Sequence, residues 1–110
     1  MRYNVTFDLL RPEPRKGTDS ALPGLAVVQR QCAGQLSTAQ AVQGGTSRFG
    51  TLDAESALLT TWTSLMQGDM VQVVSALQRD GEAFLRQTLT VRRVSMLSNL
   101  HYQAEVKASA

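Results

Sequence analysis

The chain has little of what commits a protein to chemistry. Its 110 residues include one cysteine, Cys32, and one histidine, His101. A lone cysteine excludes an internal disulfide and a cysteine-rich zinc site. A lone histidine leaves a metal only Glu105 at helical spacing, too few ligands for a site. Cys32 sits in "RQCAGQ", with no neighbouring histidine and no CxxC spacing to activate a thiolate, and reads as a small apolar residue. The glycine pair at 44 and 45 lacks the lysine and the spacing of a phosphate loop. These absences point away from an enzyme and from any metal, cofactor or small-molecule substrate.

Long apolar runs are also missing. No stretch approaches the ~18 residues of a membrane-spanning helix, and "MRYNVTFDLLRPEPRKG" has no apolar core of a secretory signal. The expectation is synthesis in the cytoplasm, no transmembrane segment, and export, if any, by a route that reads no cleavable signal. Charge is sparse, at 18% against the roughly 25% usual in globular domains. The net charge of +2 is too small to imply nucleic acid, and Arg92 and Arg93 lack the interleaved aromatics that would strengthen such a reading. Its distribution is uneven. Residues 51–80 carry Asp53, Glu55, Asp69 and Asp80 against Arg79, whereas residues 81–110 carry Arg86, Arg92, Arg93 and Lys107 against Glu82 and Glu105. Head-to-tail or staggered contacts between copies would be favoured by that asymmetry.

What is present is patterned apolar sequence. In "RYNVTFDLL", Tyr3, Val5 and Phe7 alternate with polar residues at the period of a strand. "RPEPRKGTDS" follows as a linker. Residues 25–43 read as a first helix and residues 51–67 as a second, the latter with Leu58, Leu59, Trp62, Leu65 and Met66 as its stripe. Gly68 and Asp69 then suit a helix stop and a helix start. From Met70, steps of four and three give Met70, Val74, Leu77, Gly81, Phe84, Thr88, Val91, Ser95, Ser98 and Tyr102, the period of a coiled-coil seam.

The fold expected is mainly α: two to three helices with a long C-terminal one, preceded by a strand-like arm and flexible linker. Residues 1–24 would form the arm and linker, and residues 25–110 the helical assembly region. An α+β alternative makes residues 88–96, rich in β-branched side chains, a strand paired with the N-terminal one.

The seam is the candidate interaction site. Gly81, Thr88 and Ser95 recur every seven residues and would let another backbone approach closely, while Arg92 and Arg93 would pair with acidic positions on a neighbour. Asp69, Val73, Val74, Ala76, Gln78 and Arg79, followed by Val91 and Arg92 and then Tyr102 and Gln103, resemble the terminal region of flagellar basal-body rod-adapter proteins and type III secretion inner-rod proteins. The resemblance covers residues 69–106. It implies a non-enzymatic subunit exported through the secretion apparatus, whose C-terminal helices stack with other copies. The alternative is a small dimeric adaptor or secretion chaperone in which Tyr3 to Leu9 adds a strand to a partner's sheet.

Overall fold

A computed structural model describes residues 3–13, 24–38, 55–99 and 101–108. They form six strands: β1 (Val5–Glu13), β2 (Gly24–Thr38), β3 (Ser56–Thr61), β4 (Met70–Ala76), β5 (Thr88–Ser98) and β6 (His101–Ala108). The strands close into a barrel in the order β1-β2-β3-β6-β5-β4, with every neighbouring pair antiparallel. Two three-stranded meanders, β1–β2–β3 and β4–β5–β6, are thus joined edge to edge.

This overturns the mainly helical expectation, and with it the coiled-coil seam. The one helical element among the described residues is a 3-10 turn, Arg79–Phe84. The period was misread because the segment is apolar on both readings. Val71 and Val73 are buried, Gln72 and Val74 exposed, and along β5 Leu89 and Val91 are buried, Thr88 and Thr90 half-buried and Arg92 exposed. That is the alternation of a strand, carried by β-branched residues that favour a pleated sheet. The steps of four and three instead picked outward-facing Met70, Val74 and Leu77. The α+β alternative was right that residues 88–96 are extended but misplaced their pairing, because β5 pairs with β4 and β6 and not with β1.

The N-terminal strand is present, and it is no arm. β1 pairs with β2 on one side and β4 on the other, so Val5 to Leu9, most of the segment expected to add to a partner's sheet, has no free edge with which to do so. The linker expected at residues 11–20 is a strand as far as Glu13, and its remainder lies outside the described residues. So do residues 39–43 and 51–54 of the two expected helices. Where those spans are described they are β2, and β3 followed by the irregular β3–β4 crossover from Trp62 onward.

Alternation fills the barrel. Val5, Phe7 and Leu9 of β1, Cys32 and Leu36 of β2, Leu59 of β3, Val71 and Val73 of β4, Leu89 and Val91 of β5, and Ala104 and Val106 of β6 share one buried cluster. Each fully buried Val, Leu or Phe stabilises the fold by roughly 1.5–3 kcal/mol. Leu65, from the β3–β4 crossover, and Phe84, from the 3-10 turn, join the same cluster.

Two polar devices hold the ends. At the crossover, Asp69 is only 1% exposed. It accepts both Nε (2.8 Å) and Nη2 (3.0 Å) of Arg11, and also the Met66 N–H (2.9 Å). Its backbone carbonyl accepts the Val91 N–H at 2.8 Å, so one residue ties the crossover to β1 and β5. Gly68, at φ +92°, makes the turn just before it, in a region that side chains other than glycine rarely enter. At the opposite end, the Asn4 carboxamide acts as an extra strand residue. Its Nδ2 donates to the Leu36 carbonyl and its Oδ1 accepts the Leu36 N–H, both at 2.8 Å. The Asn4 carbonyl in turn accepts the N–H groups of Leu77 and Gln78, seating the 3-10 turn on β1.

Candidate protein-interaction surface

Antiparallel order puts the ends of β1, β3 and β5 at one end of the barrel, and the ends of β2, β4 and β6 at the other. The first end is uneven, because β2 is longer than its partners. β3 pairs with β2 only at residues 34–38, and β4 pairs with β1 only at residues 5–10. Residues 24–33 of β2 therefore run on without β3, and residues 24–26 with 11–13 pass beyond β4 as well, so the β1–β2 hairpin stands partly clear of the barrel, consistent with principal extents of 48 × 30 × 27 Å.

Two register shifts, between Phe7 and Leu9 and between Leu9 and Leu10, give β2 extra residues opposite β1. These bulges bend the hairpin as it leaves the body. At the bend Gln31 adopts φ 55°. Asp8 stabilises it by accepting the Gln31 N–H at 3.1 Å and lies 3.8 Å from the Arg30 guanidinium.

The hairpin is apolar on its outside. Val27 and Val28 are 45% and 44% exposed. Register aligns Val27 with Leu10, Leu10 with Met70, and Met70 with Thr90, a mostly apolar row across four strands. At the same end Trp62 is exposed and stacks on the His101 ring, centroid to centroid 4.5 Å, while Met66 and Met96 are also exposed. At the other end Leu77 and Leu85 are exposed, with Val74 nearby on the outside of β4. The molecule thus carries a separate apolar patch at each end.

The residues of the expected seam scatter over this surface and the core. Met70, Val74 and Leu77 face outward; Gly81, Phe84 and Val91 are buried; Thr88, Ser95 and Tyr102 are half-buried; Arg92, Arg93 and Ser98 are exposed. Gly81 does permit a close backbone approach, but within its own chain: a Cβ there would lie 2.1 Å from the Asn4 carbonyl oxygen. Arg93 likewise meets an acid of its own chain, with Nε and Nη2 each 2.9 Å from the Glu105 carboxylate. Val27 and Val28 were not among the expected interaction residues, because residues 25–43 were read as a helix and the contact surface was placed on the seam from Met70 to Tyr102. Their signal was "LAVVQRQ", a β-branched pair beside polar residues.

Among the described residues no three of His, Cys, Asp and Glu are grouped to hold a metal ion. Cys32 is buried, and burial pushes its thiol pKa up, away from the reactive thiolate. No helix among the described residues is long and apolar enough to cross a membrane. No protein-family model matches the chain, and neither a curated protein nor a solved structure matches it.

Proposed function

We propose that this chain is a non-enzymatic assembly protein whose copies join end to end, the hairpin end of one against the 3-10-turn end of the next. The observation that carries the reading is the pair of apolar patches at opposite ends of the barrel, Val27, Val28, Trp62, Met66 and Met96 at one and Leu77 and Leu85 at the other. Exposed apolar groups concentrated in patches mark contact surfaces, and two unlike patches favour heterologous contacts between copies over a twofold pair.

Charged side chains are exposed at both ends and can pair across such a contact. Arg92 is exposed at the hairpin end, and Arg30 is exposed there with only a long contact to Asp8. Asp80 and Glu82 are exposed at the other end, beside Arg79 and Arg86. The bulges in β2 interrupt the regular strand edge, a device that discourages strand addition, so contact runs through outward side chains. The long helix implied by the rod-adapter resemblance has no part in this proposal, since residues 69–106 are β4, the 3-10 turn, β5 and most of β6.

Light scattering over a wide concentration range tests the proposal. The wild-type chain is expected to gain mass with concentration, and Val27→Lys/Val28→Lys to remain monomeric while still folded. A wild-type chain that stays monomeric at high concentration would refute it.

A further inference from the structure

We propose that the pocket between the 3-10 turn and β2 binds a zwitterion of amino-acid size, such as a free α-amino acid. The pocket has a volume of about 250 Å³ and is lined, among the described residues, by Asn4, Gln35, Gln78, Arg79 and Asp80. Every one of these side chains bears hydrogen-bonding groups. The volume falls below the ~300–1,000 Å³ of pockets for drug-sized ligands and cofactors, which are also mostly apolar. One amino acid is the size it suits.

The floor is fixed. Asn4 is 2% exposed, with its side chain bonded twice to Leu36 and its carbonyl to the N–H groups of Leu77 and Gln78. Gly81 packs directly on that carbonyl, leaving no room for a side chain. The walls are unspent: the side chains of Gln35, Gln78, Arg79 and Asp80 make no hydrogen bond or ion pair with any described residue. Arg79 and Asp80, adjacent and of opposite charge, both line the pocket without pairing with each other.

A zwitterion complements this set. Its carboxylate meets the planar fork of the Arg79 guanidinium, and its ammonium meets the Asp80 carboxylate. The Gln35 and Gln78 carboxamides, each able to donate and accept, bind what remains. Because Arg79 and Asp80 are exposed to water, affinity is expected on the order of 1 mM. The inference is independent of end-to-end assembly and is tested on dilute chain.

The test is a titration of the ¹⁵N-labelled full chain with L-glutamine, followed by amide chemical shifts. Saturable shifts at Gln35, Gln78 and Gly81 are expected. Arg79→Ala and Asp80→Asn, both exposed changes, should each weaken them roughly tenfold or more. Two derivatives distinguish a free zwitterion from a peptide terminus. N-acetyl-L-glutamine lacks the ammonium, L-glutaminamide lacks the carboxylate, and each should bind at least roughly tenfold more weakly. Absence of saturable shifts up to tens of millimolar would overturn the proposal. So would variants that respond as strongly as the wild-type chain, or an acetylated ligand that binds as well as the free one.

Discussion

Valine does two different jobs in this molecule. In the barrel body Val5, Val71 and Val91 are 0–1% exposed, each pressed against neighbours from facing strands. On the hairpin Val27 and Val28 are nearly half exposed and touch no such core. The residue type and the strand conformation are the same, so the difference lies in what closes over each strand. Within the body the sheet curls back on itself. Beyond residue 34 toward Gly24, β2 has lost β3, and its outward side chains face solvent. Stability therefore resides in the body, and the proposed association at the ends.

That division predicts where substitutions act. The largest effect is expected from Gly81→Ala. Its Cβ would fall 2.1 Å from the Asn4 carbonyl oxygen, and overpacking against backbone costs about 3 kcal/mol or more. Thermal unfolding should show a severely destabilised chain; a near-normal melting temperature would mean the 3-10 turn is not seated on β1 as described.

Next comes Arg11→Ala. Asp69 would keep its buried position and lose both guanidinium bonds, and an unpaired buried carboxylate is strongly destabilising. The Arg11 side chain is 37% exposed, so solvent moderates the loss to about 2 kcal/mol. Denaturant titration of this variant against Asp69→Asn, which removes the charge together with its need for a partner, should find Arg11→Ala the less stable.

The smallest effect on folding is expected from Arg93→Ala. Its pair with Glu105 has good geometry, but the arginine side chain is 49% exposed, and such pairs contribute about 1 kcal/mol or less. A loss as large as that of Arg11→Ala would erase the distinction between the body and its surface.

How much of this was legible in the sequence follows the same physics. The alternation of Tyr3, Val5 and Phe7 located β1 because polar and apolar residues there strictly take turns. The richness of residues 88–96 in threonine and valine marked β5 only as an alternative to the long helix, because β-branched residues favour a pleated sheet. Met70 to Ala76 was lost because Val73 and Val74 are adjacent, which blurs a period of two into steps of three and four. β3 was hidden by Leu58 and Leu59, both buried although neighbouring residues point to opposite faces. Gly81 was recognised as a place where backbones meet, but a local pattern cannot say that the approaching backbone is Asn4, far away in the chain. The Arg11–Asp69 pair spans 58 residues and leaves no local trace. The exposed valines needed strand lengths, and those are set by partners.

The most direct measurement mixes two chains, each disabled at one end. Val27→Lys/Val28→Lys removes the hairpin patch, and Leu77→Lys/Leu85→Lys removes the opposite one, all at exposed positions. Light scattering should find each variant monomeric alone at concentrations where the wild type grows. Their equimolar mixture should reach the mass of a heterodimer and stop there, since only one good hairpin end and one good opposite end remain. A mixture that stays monomeric, or a variant that still assembles by itself, would contradict end-to-end association.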